Sequence, residues 1–300
     1  MSLTIKNKSV DDLLKTISFD HDSIELLKGK IVLIKIGGNA LTDEVIKKQI
    51  ISQVAVLHHF GILPVIIHGG GIEIKQLLTV VGLQSEFIGG HRKTDSEAIT
   101  YIEMALSGSV NKEIVRLLLE AGVPAVGISG KDAALVTAQR RVHSESIKGV
   151  VTDFDLGFVG DVSSVNTGIV HTLLDGGYIP VISPISIGSD GKTYNINADM
   201  FAGHLAGALN AEKFVALTNI DGLLMNVNDP ESLIESLTPE RSKSLYGSVI
   251  VGGMIPKIDA CLIALENGVD SVHIINGTKK ENLLRILLTK DKIGTILRKN

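Results

Sequence analysis

Short, mostly apolar runs alternate with helical patterns along this chain, and that alternation restricts its fold more than any other feature. IVLIKI (31–36), PVII (64–67), AVGI (125–128), IPVIS (179–183), KFVALT (213–218) and SVHII (271–275) are strand-length runs with few polar residues, and ALVTA (134–138) marks one more strand. Runs of this kind belong to strands covered on both faces, which is the condition of a parallel sheet flanked by helices. Between them lie helical patterns. Val10, Leu13, Leu14 and Ile17 fall at i, i+3, i+4, i+7 with Ser9 available as a cap, and a helix is expected to begin near Thr42. Thr94 and Glu97 have capping-box spacing for a helix reaching Leu106, and NKEIVRLLLEAG (111–122) adds a helix ended by Gly122. Further helices are expected over 166–175, from Ala198, over 255–266 and over 281–288, and SDGK (189–192) reads as a hairpin turn. The sum is an α/β fold with a mostly parallel sheet and a local antiparallel insertion.

Three hundred residues with 44% hydrophobic content can bury a core for one large or two medium domains. A net charge of −4, without a run of five like charges, argues against a nucleic-acid partner. No stretch reaches the roughly 18 apolar residues of a membrane span. Asp11 and Asp12 interrupt the first apolar stretch, so no signal-peptide core is expected. The single cysteine, Cys261, lies in an apolar helical pattern as a small buried hydrophobe, and a reducing cytoplasm fits.

Glycines cluster where strands end. After PVII come His68 and Gly69–Gly70–Gly71, an arrangement that costs backbone entropy. Either the triplet is a flexible turn, or its bare N–H groups must approach an anionic ligand. Neither KIGGNA nor IIHGGGIE has the G-x-G-x-x-G spacing of dinucleotide folds, and the first glycine of a P-loop ending at GKT (191–193) would fall on Ser186. Lys35 sits inside IVLIKI, where an ammonium is costly unless it snorkels from an edge or meets an anion. Lys257 follows GGM at a helix start, which the helix dipole does not favour for a cation. Asp199 stands at another helix start, where it or Asn197 could serve as a cap. Arg92, behind two loop glycines, is either a solvated surface group or a planar fork for a carboxylate or phosphate.

Taken in order, KIGG (35–38), HGGG (68–71), GHRKTD (90–95), SGSVNKEIV (107–115), GISGKD (127–132), YNINAD (194–199), LTNIDGLL (217–224), GGMIPKI (252–258) and VHIINGT (272–278) resemble the motif series of the amino acid kinase family, and within it the N-acetylglutamate kinases. The resemblance covers the chain from about residue 30 onward. It implies an open three-layer αβα sandwich with a mostly parallel central sheet. A lobe over 29–210 would bind the acetylated amino acid and carry dimerisation, a lobe over 211–300 would bind ATP, and 1–28 would form a helical extension. The reaction it implies moves the γ-phosphoryl of ATP, carried with Mg2+, onto the side-chain carboxylate of N-acetyl-L-glutamate. A carboxylate needs no general base, so such a site has to bring two anions together and stabilise charge on the moving group.

By the same resemblance Lys35 stabilises the transferring phosphoryl, Lys257 acts from the nucleotide side and Asp199 holds both ammonium groups. The substrate contacts would be the N–H groups of Gly70 and Gly71, where side chains would occupy space the substrate needs, together with Arg92 and Asn195. Gly37 and Gly38 would face the phosphates, and Thr218, Asn219, Gly222, Gly252, Gly253 and Met254 the nucleotide. No protein metal cage is expected, since magnesium would be held by phosphate oxygens and water.

Some family members bind arginine as an effector and use an N-terminal helix to link dimers into a hexamer, so a homodimer or a hexamer is expected, with residues 9–17 as the linking helix or packed on their own subunit. Lys213, His273 and Gly294 match the regulatory pattern, whereas Arg285 stands where arginine-sensitive relatives carry a glutamate; outside that pattern, Ile72 replaces the proline or other small residue often found after HGGG, and Ala133 a glycine common after SGKD. Two alternatives remain open from sequence: a same-fold kinase for another acidic amino acid, such as N-acetylaminoadipate or glutamate, and a non-catalytic amino-acid sensor.

Overall fold

A computed structural model describes residues 8–147 and 150–299. The strand Ile31–Ile36 lies at the centre of an eight-stranded sheet, paired in parallel with Leu63–His68 on one side and with Lys213–Thr218 on the other. Beyond Leu63–His68 come Ile179–Ser183 and Ala125–Ser129, and beyond Lys213–Thr218 comes Ser271–Asn276, all parallel. Thr295–Arg298, absent from the sequence reading, runs antiparallel to Ser271–Asn276 and carries the short strand Ser236–Leu237 on its outer side.

Side chains alternate across the sheet, and each face has its own apolar core. Leu33, Val65, Ile67 and Phe214 point into the layer formed by the helices Gly168–Asp175, Ala198–Ala208 and Ile255–Glu266. Val32, Ile34, Ile66 and Val215 point into the opposite layer, formed by Glu44–His59, Asn111–Glu120 and Asn282–Leu288. The expected three-layer sandwich is therefore present, and Cys261 is buried in its first core. Among the described residues no helix is long and apolar enough to cross a membrane.

A second sheet was only half visible in the sequence. Val136–Ile147 pairs antiparallel with Val150–Val165, and these close a four-stranded barrel with the hairpin strands Ile185–Gly188 and Thr193–Ile196. The hairpin at 189–192 is as expected, but Val150–Val165 escaped the periodicity reading because Asp, Ser and Gly interrupt it.

Several expected caps move. Asp95, not Thr94, accepts from the backbone N–H groups of Glu97 and Ala98, whereas Thr94 is buried and ladders against Leu156 and Phe158. The helix expected near Thr42 is two pieces, Gly38–Thr42 and Glu44–His59, the second capped by Asp43. The helix from Ala98 continues through a π-helical turn, Met104–Val110, directly into Asn111–Glu120. Ser9 lies within the helix Lys8–Thr16 rather than capping it, and its hydroxyl meets Ser52 Oγ at 2.8 Å. With Leu13 buried in the second core, that helix packs on its own chain.

Candidate active site

Lys35 is placed by the central strand, near its C-terminal edge, with its side chain 6% exposed. Asp199 and Lys257 come from the first turns of Ala198–Ala208 and Ile255–Glu266. Those helices approach closely because Gly203, one turn after Asp199, leaves room for Ala260; a Cβ there would lie 2.4 Å from the Ala260 carbonyl oxygen. Asn197 takes the capping role, its Oδ1 accepting from the N–H groups of Asp199 at 2.9 Å and Met200 at 3.3 Å. The Asp199 carboxylate is thereby released to face the cleft. Its Oδ1 lies 2.7 Å from Lys35 Nζ, and its Oδ2 accepts from Lys257 Nζ at 3.1 Å.

Burial alone would raise the Asp199 carboxyl, but Lys35 and Lys257 together hold it below the usual carboxylate range. Burial pushes the Lys35 ammonium down, Asp199 opposes that shift, and Lys257 adds to it. Two cations around one carboxylate leave a buried excess of one positive charge, a setting that favours an incoming anion.

Two cavities meet the triad from different sides, the first at Asp199 and the second at Lys35 and Lys257. One is lined by Gly69–Gly71, Arg92, Leu106, Asn195 and Asp199, the other by Lys35, Gly37, Leu217, Thr218, Asn219 and Lys257. The second opens where the chain order reverses between Ile31–Ile36 and Lys213–Thr218, at the carboxyl ends of parallel strands, the usual ligand crevice of such sheets. In the first, Arg92 Nη2 donates to the Gly71 carbonyl at 3.0 Å, Nη1 donates to Ser85 Oγ, and the guanidinium lies 4.7 Å from the Phe87 ring centroid. Arg92 is thus held in place at the cavity wall.

A Cβ at Gly70 would meet Leu106 Cδ2 at 2.6 Å, so packing against the π-helical turn is a further reason for that glycine, while a Cβ at Gly71 would enter open space; both residues line the first cavity. Gly222 lines neither cavity: at φ +148° it sits where a Cβ would fall 2.7 Å from Thr295 Oγ1 and from Leu233 Cδ1. Gly252, Gly253 and Met254 form the turn that leads into the Lys257 helix and line neither cavity, while Gly38 opens the short helix after the central strand. Sequence reading passed over Leu106, His91 and the buried His68–Asn111 pair at this site. His68 stood in plain view beside the glycines.

The profile of the amino acid kinase family matches residues 30–276. The chain belongs to the amino acid kinase family. Among similar family members, the acetylglutamate kinase of Caldanaerobacter subterraneus subsp. tengcongensis is 44% identical, over 98% of this chain and 96% of that protein. The acetylglutamate kinase of Moorella thermoacetica is 45% identical over 90% of this chain and 91% of that protein. Among solved structures, N-acetylglutamate synthase from Neisseria gonorrhoeae, complexed with coenzyme A and N-acetyl-glutamate, superposes with a TM-score of 0.76 at 27% identity. That match covers 93% of this chain and 62% of the synthase, so this amino acid kinase family chain spans less than two thirds of the larger protein.

Proposed function

We propose that the protein transfers the γ-phosphoryl group of ATP to the side-chain carboxylate of N-acetyl-L-glutamate, forming N-acetyl-L-glutamyl 5-phosphate, a step of arginine biosynthesis. Relatives named acetylglutamate kinase align over nearly the whole chain at 44–45% identity. The observation that carries the chemistry is the Lys35–Asp199–Lys257 triad standing between two cavities.

An acyl acceptor that is already anionic needs approach and charge neutralisation rather than deprotonation. Lys35, which lines the second cavity and meets Asp199 of the first, stabilises the transferring phosphoryl group. Lys257, on the nucleotide side, neutralises charge developing toward the leaving phosphate, and Asp199 keeps both ammonium groups at fixed separation. Arg92 takes a substrate carboxylate, the N–H groups of Gly70 and Gly71 face the acceptor, and Asn195 contacts the acetylated amino acid. Gly37 and Gly38 serve the phosphates, and Thr218 and Asn219 the nucleotide. Gly252, Gly253 and Met254 act through the start of the Lys257 helix, and Gly222 shapes the neighbouring loop. Among the described residues no group of three or more His, Cys, Asp or Glu side chains is arranged to hold a metal. Mg2+ would arrive on ATP, bound by phosphate oxygens and water, and would neutralise phosphate charge there.

The 29–210 segment serves as the acetylated-amino-acid lobe and 211–300 as the nucleotide lobe, with 1–28 as an N-terminal extension. In favour of this division, the first cavity is lined from within 69–199, whereas the second adds 217–219 and 257 to Lys35, Gly37 and Ala40 of the first segment. The setting is cytoplasmic and the assembly a homodimer or hexamer. An arginine effector remains part of the proposal, although Arg285 is paired with Asp291 at 2.7 Å.

ATP consumption measured with N-acetylglutamate, glutamate and N-acetylaminoadipate side by side tests the substrate, and repeating it with arginine tests the effector. Turnover confined to N-acetylglutamate is expected; turnover only with the longer acid would overturn the proposal. Size-exclusion of a chain lacking residues 1–28 against the full chain tests the assembly.

A further inference from the structure

We infer that His68 is a positioning residue of the substrate cavity: its ring holds the Gly69 carbonyl inward and so turns the Gly70 N–H toward the acceptor. The inference rests on the acyl-acceptor reading of that cavity. His68 ends the strand Leu63–His68, and its side chain is fully buried. Its Nδ1 lies 2.8 Å from the Gly69 carbonyl oxygen, and its Nε2 lies 3.2 Å from Asn111 Nδ2.

The tautomer follows from what surrounds Asn111. Its Nδ2 also donates to the carbonyls of Val181 at 2.9 Å and Ile128 at 3.3 Å, while its Oδ1 accepts from Lys112 Nζ at 3.3 Å. The two protons of Nδ2 are shared among these carbonyls and His68, and because an amide nitrogen does not accept, the His68 Nε2 facing it is the bare, accepting nitrogen. The proton then sits on Nδ1 and is donated to the Gly69 carbonyl. Burial agrees, pushing the imidazole down to about 4 and keeping it neutral.

The carbonyl of Gly69 and the N–H of Gly70 belong to one planar trans peptide unit and point in opposite directions. The Gly69 N–H is already tied to the Ile36 carbonyl at 3.0 Å, so both ends of this glycine are pinned. Gly70 donates to no backbone acceptor among the described residues and lines the cavity with Gly71. In a run of three glycines the peptide plane could otherwise rotate at little cost. His68 removes that freedom.

Two substitutions separate the halves of this device. His68→Asn keeps a donor near the Nδ1 position, whereas His68→Gln keeps a polar group near Nε2 and loses the tie to Gly69. With N-acetylglutamate as substrate, H68Q is expected to lower kcat/KM for that acid about 10- to 100-fold, the scale of losing an orienting contact, with KM for ATP little changed. H68N should recover most of the loss. Equal losses in the two variants, or a better H68Q than H68N, would overturn the inference. Since either variant could fold poorly, 15N-histidine NMR of the wild-type protein provides a second test: an Nδ1–H tautomer is expected for His68 at neutral pH, and an Nε2–H tautomer or an imidazolium would overturn it. A wild-type protein that does not phosphorylate N-acetylglutamate would refute the proposed function, and the tautomer measurement would still stand by itself.

Discussion

Replacing Asp199 by asparagine changes one charge and almost no volume, at the point where Lys35 and Lys257 meet. At 2.7 and 3.1 Å, and with an effective dielectric constant of about 20, the two attractions amount to about 6 and about 5 kcal/mol before desolvation is subtracted. Removing one partner of such a buried arrangement costs about 3–5 kcal/mol net. Part of that cost can be relieved by loss of a proton from Lys35, which burial already pushes down and which Asp199 alone among its charged neighbours pulls up. A neutral Lys35 cannot neutralise a moving phosphoryl group, so kcat is expected to fall about 10²- to 10³-fold.

The pH dependence supplies a sharper test of the same substitution. The active form carries protonated Lys35, so activity falls as pH rises through its pKa. Without Asp199 that pKa moves lower, and the basic limb of the D199N profile should shift toward acid relative to wild type. ADP release measured from about pH 6 to about pH 9 would show the displacement, with thermal unfolding confirming that the variant is folded. A folded D199N protein with kcat within tenfold of wild type, or with its basic limb unmoved, would refute the charge-bridging role.

Three further outcomes are expected. Gly71→Ala should leave stability within about 0.5 kcal/mol, because its Cβ enters open space, while raising KM for N-acetylglutamate; Gly70→Ala should cost about 1–3 kcal/mol through Leu106, read by urea unfolding. Gly222→Ala places a Cβ against Thr295 and Leu233 at a left-handed φ, so it should destabilise by several kcal/mol, roughly the scale of strain plus overpacking, while the folded fraction keeps its KM for ATP. His68 and His273 are buried with pKa values pushed down to about 4 and about 3, from 6.5 when exposed, mainly by desolvation. The unfolded chain therefore takes up protons first as pH drops below about 6.5, and stability should decline toward about pH 4, by about 3 kcal/mol for His68 alone; a urea midpoint that stays flat across that window would contradict the buried neutral assignment.

Much of the sandwich was legible because its strands are apolar on both faces: IVLIKI and KFVALT stand out from any helical pattern, and the structure places them side by side. Lys35 was legible for the complementary reason, as a charge inside such a run. Val150–Val165 was not, since a strand with Asp153, Asp155 and Asp161 along it and Gly157 at φ +73° lacks that signature. The π-helical turn carries no compositional mark; its role became visible only through the contact of Leu106 with the space above Gly70. His68 and Asn111 are joined across 43 positions, and such a pairing is decided by which buried groups still need partners once the chain has folded. The capping choice between Asn197 and Asp199 was likewise settled by geometry: asparagine satisfied the helix end and left the acid available.

The central strand is paired in register at Lys35 with Ile67 on one side and with Ala216 on the other, within continuous parallel ladders. A hinge requires a seam that few backbone bonds cross, and no such seam separates the floors of the two cavities. Whatever motion brings donor and acceptor into line has to come from elastic twisting of the continuous sheet and from shear of the Asp199 and Lys257 helices over it, in small displacements shared by many residues.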